Sequence, residues 1–180
     1  MNWEESDVDA LVREAQGGEK AALGELYDYF LESIYRFLYF RVSSEQEAED
    51  LTEEVFFKML NNLSKYQKHD NMPFSAWLFR IAKNVLVDFY RKNTTPEEIS
   101  EEIEDEKAST TAETEEKMNR TRLLLAIKKL PRAQSESIIL RFFSDRSNAE
   151  IAAILGKSET AVRILQSRGL KKLRFVLGEA

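Results

Sequence analysis

At 180 residues with 3 Pro and 6 Gly, the chain has room for one large domain or two small ones and too few turn-formers for a many-stranded fold, so helices are expected. Its composition, 43% hydrophobic and 32% charged with a net charge of −6, suits a soluble globular protein. No apolar run approaches the roughly 20 residues of a membrane span, and the N-terminal MNWEESDVDA carries acids where an export signal carries Lys or Arg, so a cytoplasmic protein without membrane insertion is expected. The absence of Cys and the single His69 exclude disulfides, thiolate zinc sites, Cys nucleophiles and any Ser-His-Asp triad not built on that imidazole. No metal, cofactor or small-molecule substrate is expected, and no catalytic residue.

Residues 1–92 hold 11 Lys/Arg against 17 Asp/Glu, and 16 of the 19 aromatic residues. A short helix is predicted at 11–15, broken by Gly17-Gly18, and residues 21–41, rich in Leu, Tyr and Phe, read as a long helix. Ser44 with Glu47 forms a capping box that opens the next helix. In it Ala48, Leu51, Val55, Met59 and Leu63 recur at helical spacing as a buried stripe. Six acids and no base lie between residues 45 and 54; the early ones suit a helix N-terminus and the set serves solubility, the alternative reading being a docking face for a basic partner. After a polar loop at 65–73, residues 74–92 form a third long helix. Its apolar face holds Trp77, Leu78, Ile81, Val85 and Phe89; the opposite face holds Arg80, Lys83, Asn84, Arg91 and Lys92, with Asp88 the one acid. Aromatic rings beside such donors suit single-stranded DNA, because a stacked base gains roughly 1–3 kcal/mol. Most of these rings belong to a core; Tyr66 and Phe74, at the loop edges, are the candidate stacking platforms.

Residues 93–117, NTTPEEISEEIEDEKASTTAETEEK, hold 2 bases against 10 acids and no aromatic residue. Such a segment cannot bury a core and reads as a flexible, self-repelling linker with a helical onset before Met118.

Residues 118–180 reverse the balance, with 13 bases against 5 acids, the electrostatic footprint of a phosphate-binding module. Helices are predicted at 118–130, ended by Pro131, and at 133–143. Next comes SDRSNAEIAAILGKSETAVRILQSRGLKKLRFVL. Ser147 with Glu150 is a second capping box, Ile151, Ala152 and Leu155 form an inner face, Gly156 supplies a left-handed turn, and Ser158 caps the helix that follows. Two capped helices around a Gly turn make a helix-turn-helix, whose second helix enters the major groove. There Val162, Leu165, Gly169 and Leu173 share one face. Thr160, Arg163, Ile164, Ser167, Arg168 and Lys171 share the other. Arg163 and Arg168 suit guanine edges, Ile164 a thymine methyl, and Lys171 and Lys172 phosphates. The fold class expected is all-α: two small helical domains, 1–92 and 118–180, joined by a flexible acidic linker.

In order along the chain, these segments resemble the extracytoplasmic-function class of bacterial sigma factors, of the sigma-70 family. AEDLTEEVFFKML resembles the region 2.2 helix that binds the β′ clamp helices of RNA polymerase. PFSAWLFRIAKNVLVDFYRK resembles regions 2.3 and 2.4, which open and read the −10 element. LLLAIKKLPRAQSESIILRFFSDRSNAEIAAILGKSETAVRILQSRGLKKLR resembles region 4, which reads the −35 element. The resemblance implies a specificity subunit that binds core RNA polymerase at the β′ clamp helices and β flap, together with promoter DNA and an anti-sigma factor. It implies core docking by Asp50, Leu51, Glu53, Glu54, Val55 and Phe56. It implies −10 contacts by Arg80, Lys83, Asn84, Asp88, Arg91 and Lys92, with Tyr66, Phe74 and Trp77 beside them, and −35 contacts by Arg163, Ser167 and Arg168, flanked by Ser158, Thr160, Ile164, Lys171 and Lys172. It also implies that the linker runs through the RNA-exit path. The chain departs from the family pattern at Glu53, usually Gln, and at Asp145 and Arg146, where Gly and Leu are usual. The rival reading is a stand-alone helix-turn-helix regulator acting without polymerase, which would dimerise on a palindrome.

Overall fold

The computed structural model describes residues 5–68, 72–93 and 112–178, and the regular structure among them is helical. An N-terminal unit consists of α1 (Glu5–Gln16), α2 (Lys20–Tyr39), α3 (Glu45–Asn62), a single 3-10 turn (Leu63–Lys65) and α4 (Phe74–Asn93). A C-terminal unit consists of α5 (Ala112–Lys128), α6 (Arg132–Phe142), α7 (Asn148–Leu155) and α8 (Glu159–Leu177). His69 and most of the acidic linker, including any course it takes, lie outside the described residues. Helix α5 opens at Ala112, so the last six linker residues are helical and not extended.

Local chemistry sets the helix starts. At α3 the Ser44 hydroxyl accepts the Glu47 N–H at 3.2 Å while the Glu47 carboxylate accepts the Ser44 N–H at 3.1 Å, satisfying donors that a helix leaves open at its first turn. Ser147 and Glu150 repeat the box at α7, with distances of 3.2 and 2.8 Å. Gly156 ends α7 at φ 64°, ψ 43°, a conformation costly for a residue with a Cβ. The Ser158 hydroxyl then accepts the Ala161 N–H at 3.2 Å.

The N-terminal core is aromatic. Phe30, Phe37, Phe74 and Phe79 are fully buried, with Phe37 edge-on to Phe79 at 5.5 Å and Phe30 tilted on Phe74 at 5.6 Å. The stripe Ala48, Leu51, Val55, Met59 and Leu63 is buried against it. Gln16 closes the unit by donating to the carbonyls of Leu63 (2.9 Å) and Tyr66 (2.7 Å).

In the C-terminal unit α8 packs on α6, α7 and α5. Gly169 permits the α6 contact: a Cβ there would stand 2.5 Å from Ile138 Cδ1 and 3.3 Å from Gln134 Cβ. Ile138 is buried, and Ile138 Cγ1 and Gln134 Cβ, which cannot swing away as a terminal methyl can, also stand within 3.4 Å of the added carbon, so Gly169→Val is expected to destabilise this unit by about 1–3 kcal/mol through overpacking. Chemical denaturation checks this; an unchanged midpoint would mean that α6 and α8 lie further apart.

The two units pack on each other, α7 on α4 and α6 on α2. Phe40 meets Phe143 across the seam at 4.1 Å between ring centroids, and the Ser144 hydroxyl donates to the Ser33 carbonyl at 3.0 Å. Composition, which divides the chain in two, carries no sign of this packing.

Candidate nucleic-acid interface

The solvent face of α8 is a continuous polar and basic strip. Val162, Gly169 and Leu173 are buried and Leu165 half-buried, which turns Thr160, Arg163, Ile164, Ser167, Arg168, Lys171 and Lys172 outward. Ser158 is exposed at its start, with its hydroxyl engaged in the cap. Arg163 reaches back to Glu159 at 3.4 Å, both largely exposed, a pair that DNA can outcompete because exposed i,i+4 pairs are worth only about 0.3–0.5 kcal/mol. Phe175, 76% exposed, extends the strip beyond the residues expected from sequence; its isolation as the last aromatic residue in a basic helix was the available signal.

Helix α4 is different, because part of its polar face is already occupied. Arg80 donates to the Ala153 carbonyl of α7 at 3.0 Å and approaches Met72 Sδ at 3.5 Å. Lys83 lies 3.5 Å from Glu136 of α6. Asn84, Arg91 and Lys92 remain exposed, and Asp88 pairs with Arg91 at 3.1 Å and Lys58 at 3.9 Å. Trp77 is half-buried. The expected stacking platforms need correction: Tyr66 is 8% and Phe74 1% exposed. They pack on each other at 5.3 Å and on Trp77 at 5.0 and 5.3 Å. The loop edge folds inward because three large rings gain more by mutual burial than by facing water.

On α3, Asp50 and Glu53 are exposed and Glu54 is half-exposed, pairing with Lys58 at 2.7 Å. Leu51, Val55 and Phe56, expected at the docking face, are instead core residues at 6%, 0% and 4% exposure. The apolar groups actually presented beside the acids are Phe57 and Leu60, 65% and 50% exposed. Their i,i+3 spacing off the buried stripe was visible in VFFKML.

The seam is built on buried ions. Glu136, 4% exposed, receives Arg132 Nε at 2.9 Å, with Lys83 and Arg41 at 3.5 and 3.6 Å. Burial pushes its carboxyl up, but the hydrogen bond from Arg132 and the charges of Arg41, Lys83 and Arg132 outweigh burial and hold it below the ordinary carboxylate value. Arg146, 8% exposed, donates to Glu150 at 3.0 Å and to the Ser144 carbonyl at 2.8 Å. Its guanidinium sits over the rings of Phe30 and Phe79, 5.7 Å from each centroid. Glu150 is likewise held low: burial raises it, but Arg146, a Ser75 hydrogen bond and the Ser147 cap outweigh that. The positions where the family pattern has Gly and Leu thus hold Asp145, at φ 53°, and a cation plugged into the aromatic core of the other unit.

Both carboxyls sit below their ordinary value of 4.5, so the stability they confer is present above about pH 4.5 and is lost as pH falls through their folded values. Melting temperatures are expected to fall below pH 4.5 with a limb that flattens in Glu136→Gln. An unchanged limb would place the acid sensitivity elsewhere.

Among the described residues no helix is long and apolar enough to cross a membrane, and no cluster of His, Asp or Glu could hold a metal. Residues 26–95 match the family Sigma-70 region 2, and residues 120–173 match Sigma-70, region 4. The chain is 34% identical to the ECF RNA polymerase sigma factor BldN of Streptomyces coelicolor over 93% of its own length, and spans 64% of that relative. It is 29% identical to SigX of Bacillus subtilis, covering 83% of this chain and 80% of SigX. It is 30% identical to SigD of Mycobacterium bovis, covering 97% and 85%. Two solved structures share the fold: CnrH in complex with the cytosolic domain of CnrY (TM-score 0.69, 24% identity, 94% and 96% of the two chains), and RpoE in complex with the anti-sigma factor NepR from Bartonella quintana (TM-score 0.63, 21% identity, 86% and 96%). The chain belongs to the extracytoplasmic-function family of sigma-70-type RNA polymerase sigma factors, the proteins that direct transcription initiation.

Proposed function

We propose that the chain acts in the cytoplasm as a dissociable specificity subunit that catalyses no bond change itself. The N-terminal unit anchors on the β′ clamp helices of core polymerase through Asp50, Glu53 and Glu54 with Phe57 and Leu60 beside them. Helix α4 takes an unpaired −10 strand through Arg80, Lys83, Asn84, Arg91 and Lys92. Helix α8 reads the −35 duplex, with Arg163, Ser167 and Arg168 at base edges and Lys171 and Lys172 on phosphates, while the C-terminal unit meets the β flap. Because α7 and α6 engage Arg80 and Lys83, strand capture requires the units to part. An anti-sigma factor that keeps them from polymerase completes the reading.

The observation that carries this proposal is the solvent face of α8: a basic, uncovered strip presented by a Gly156 turn between two capped helices. Runoff transcription with core polymerase on a randomised promoter library tests it. Arg168→Ala is expected to relax one or two −35 positions by roughly 1–3 kcal/mol, and the double replacement Asp50→Lys with Glu54→Lys to abolish core binding with the fold intact. Core binding equal to the parent would remove the docking assignment. Specific duplex binding without polymerase would favour a stand-alone regulator.

A further inference from the structure

The seam between the two units contains a recess of about 320 Å³, walled by Arg41 and Tyr90 from the first unit and by Lys128, Arg132 and Ser135 from the second. Arg41 is its unusual member. The side chain is only 8% exposed and its guanidinium lies over the Phe37 ring, 5.5 Å from the centroid; Nη1 is 3.6 Å from Glu136, while Nε and Nη2 are closed off from solvent with no hydrogen-bond partner among the described residues. A guanidinium offers five donors and no acceptor, and buried donors without acceptors carry their full desolvation penalty.

Among the described residues, charge around the recess is not balanced. Arg41, Lys128 and Arg132 face it, and the carboxylate in contact, Glu136, is shared with Lys83 outside. The charge of Glu47 also acts on Lys128 and Tyr90. Burial pushes Arg41 down and is opposed mainly by Glu136; burial also pushes Lys128 down and is opposed only by Glu47. These directions agree with cations short of a counter-ion.

We infer that this recess binds a small phosphate-type anion, inorganic phosphate or a phosphate monoester, held by Arg41 from one unit and by Lys128 and Arg132 from the other. Cations converging from both sides suit the several oxygens of a tetrahedral oxyanion, which can meet more than one donor group at once. The volume lies at the lower end of small-molecule sites and leaves space for a small body beside the phosphate, against the rings of Tyr90 and Phe40. An anion bound by both units stabilises their contact by mass action. By linkage it opposes whatever needs the units apart; that consequence rests on the sigma-factor reading, whereas the site itself does not.

The test uses the full chain, with calorimetric titration and thermal melting in sodium phosphate against sodium chloride at matched ionic strength. The parent is expected to bind phosphate saturably at one site and to melt higher in its presence. Lys128→Gln, at a side chain outside the hydrophobic core, and Arg41→Gln are each expected to weaken binding about tenfold or more. The pair Arg168→Gln with Lys171→Gln, on the outer face of α8, should bind phosphate as the parent does. Displacement of phosphate by adenosine monophosphate supports the site with a monoester as occupant; failure to displace supports it with the free ion. The inference is overturned if the parent shows no saturable response, if Lys128→Gln binds as well as the parent, or if binding is lost with the α8 pair instead.

Discussion

Replacing Glu136 with Gln is expected to separate the two units while leaving each folded. The carboxylate is 5% exposed at its side chain and serves Arg132, Lys83 and Arg41, two of which belong to the other unit. Glutamine keeps the shape but removes the charge, so Lys83 and Arg41 lose their shared counter-ion in a place with little water. Removing one partner of a fully buried ion cluster costs about 3–5 kcal/mol; with Lys83 30% and Arg132 57% exposed the loss here is about 2–3 kcal/mol, of which most falls on the packed arrangement because the cluster lies in the seam. Even about 2 kcal/mol lowers the ratio of packed to separated forms by more than tenfold. Small-angle scattering should then show a larger radius of gyration, and single-stranded DNA should bind the free chain more tightly as Arg80 and Lys83 are released. A parent-like radius together with parent-like melting would mean that the apolar contacts alone hold the units together.

Arg146→Ala is the companion experiment on the other side of the seam. The guanidinium fills the space over Phe30 and Phe79 and pairs with Glu150, whose side chain keeps 23% exposure. The expected loss is about 2–3 kcal/mol, below that of a fully buried pair because Glu150 can recover some hydration. Two readouts separate charge from packing. The double variant Arg146→Ala with Glu150→Gln should recover about 1 kcal/mol relative to additivity, which measures the charge coupling, and Arg146→Met, which refills the volume without the charge, should recover only the packing part of the loss. A loss under 0.5 kcal/mol in denaturant melts would show that the rings of the N-terminal core close without the plug.

Both experiments concern residues to which the sequence assigned no role. Glu136 is the one acid between residues 118 and 144, a sign that was there to see, but its partners lie on elements about 50 and 95 positions away, at Lys83 and Arg41. Arg146 stood out as a departure from the family pattern without a visible purpose. On α3 the error was of a different kind: Leu51 and Val55 belonged both to the buried stripe and to the expected docking face, and a helix cannot present one side chain to both. Burial of the stripe decides for the core, and Phe57 and Leu60 take the exposed place.

What the sequence determined by itself is local. Ser44 with Glu47, Ser147 with Glu150, Gly156 and Ser158 set helix boundaries through bonds spanning three or four residues, and the apolar periods of α3 and α8 chose which faces turn inward. Those interactions depend on near neighbours, so the order of residues specifies them and the outward face of α8 follows. What only the tertiary structure decided is which charged groups lose water: Arg41, Glu136 and Arg146 sit in polar or mixed stretches whose hydration is set by an element far along the chain. Desolvation depends on everything that packs within a few ångströms. A residue's own neighbours in sequence therefore carry no record of it.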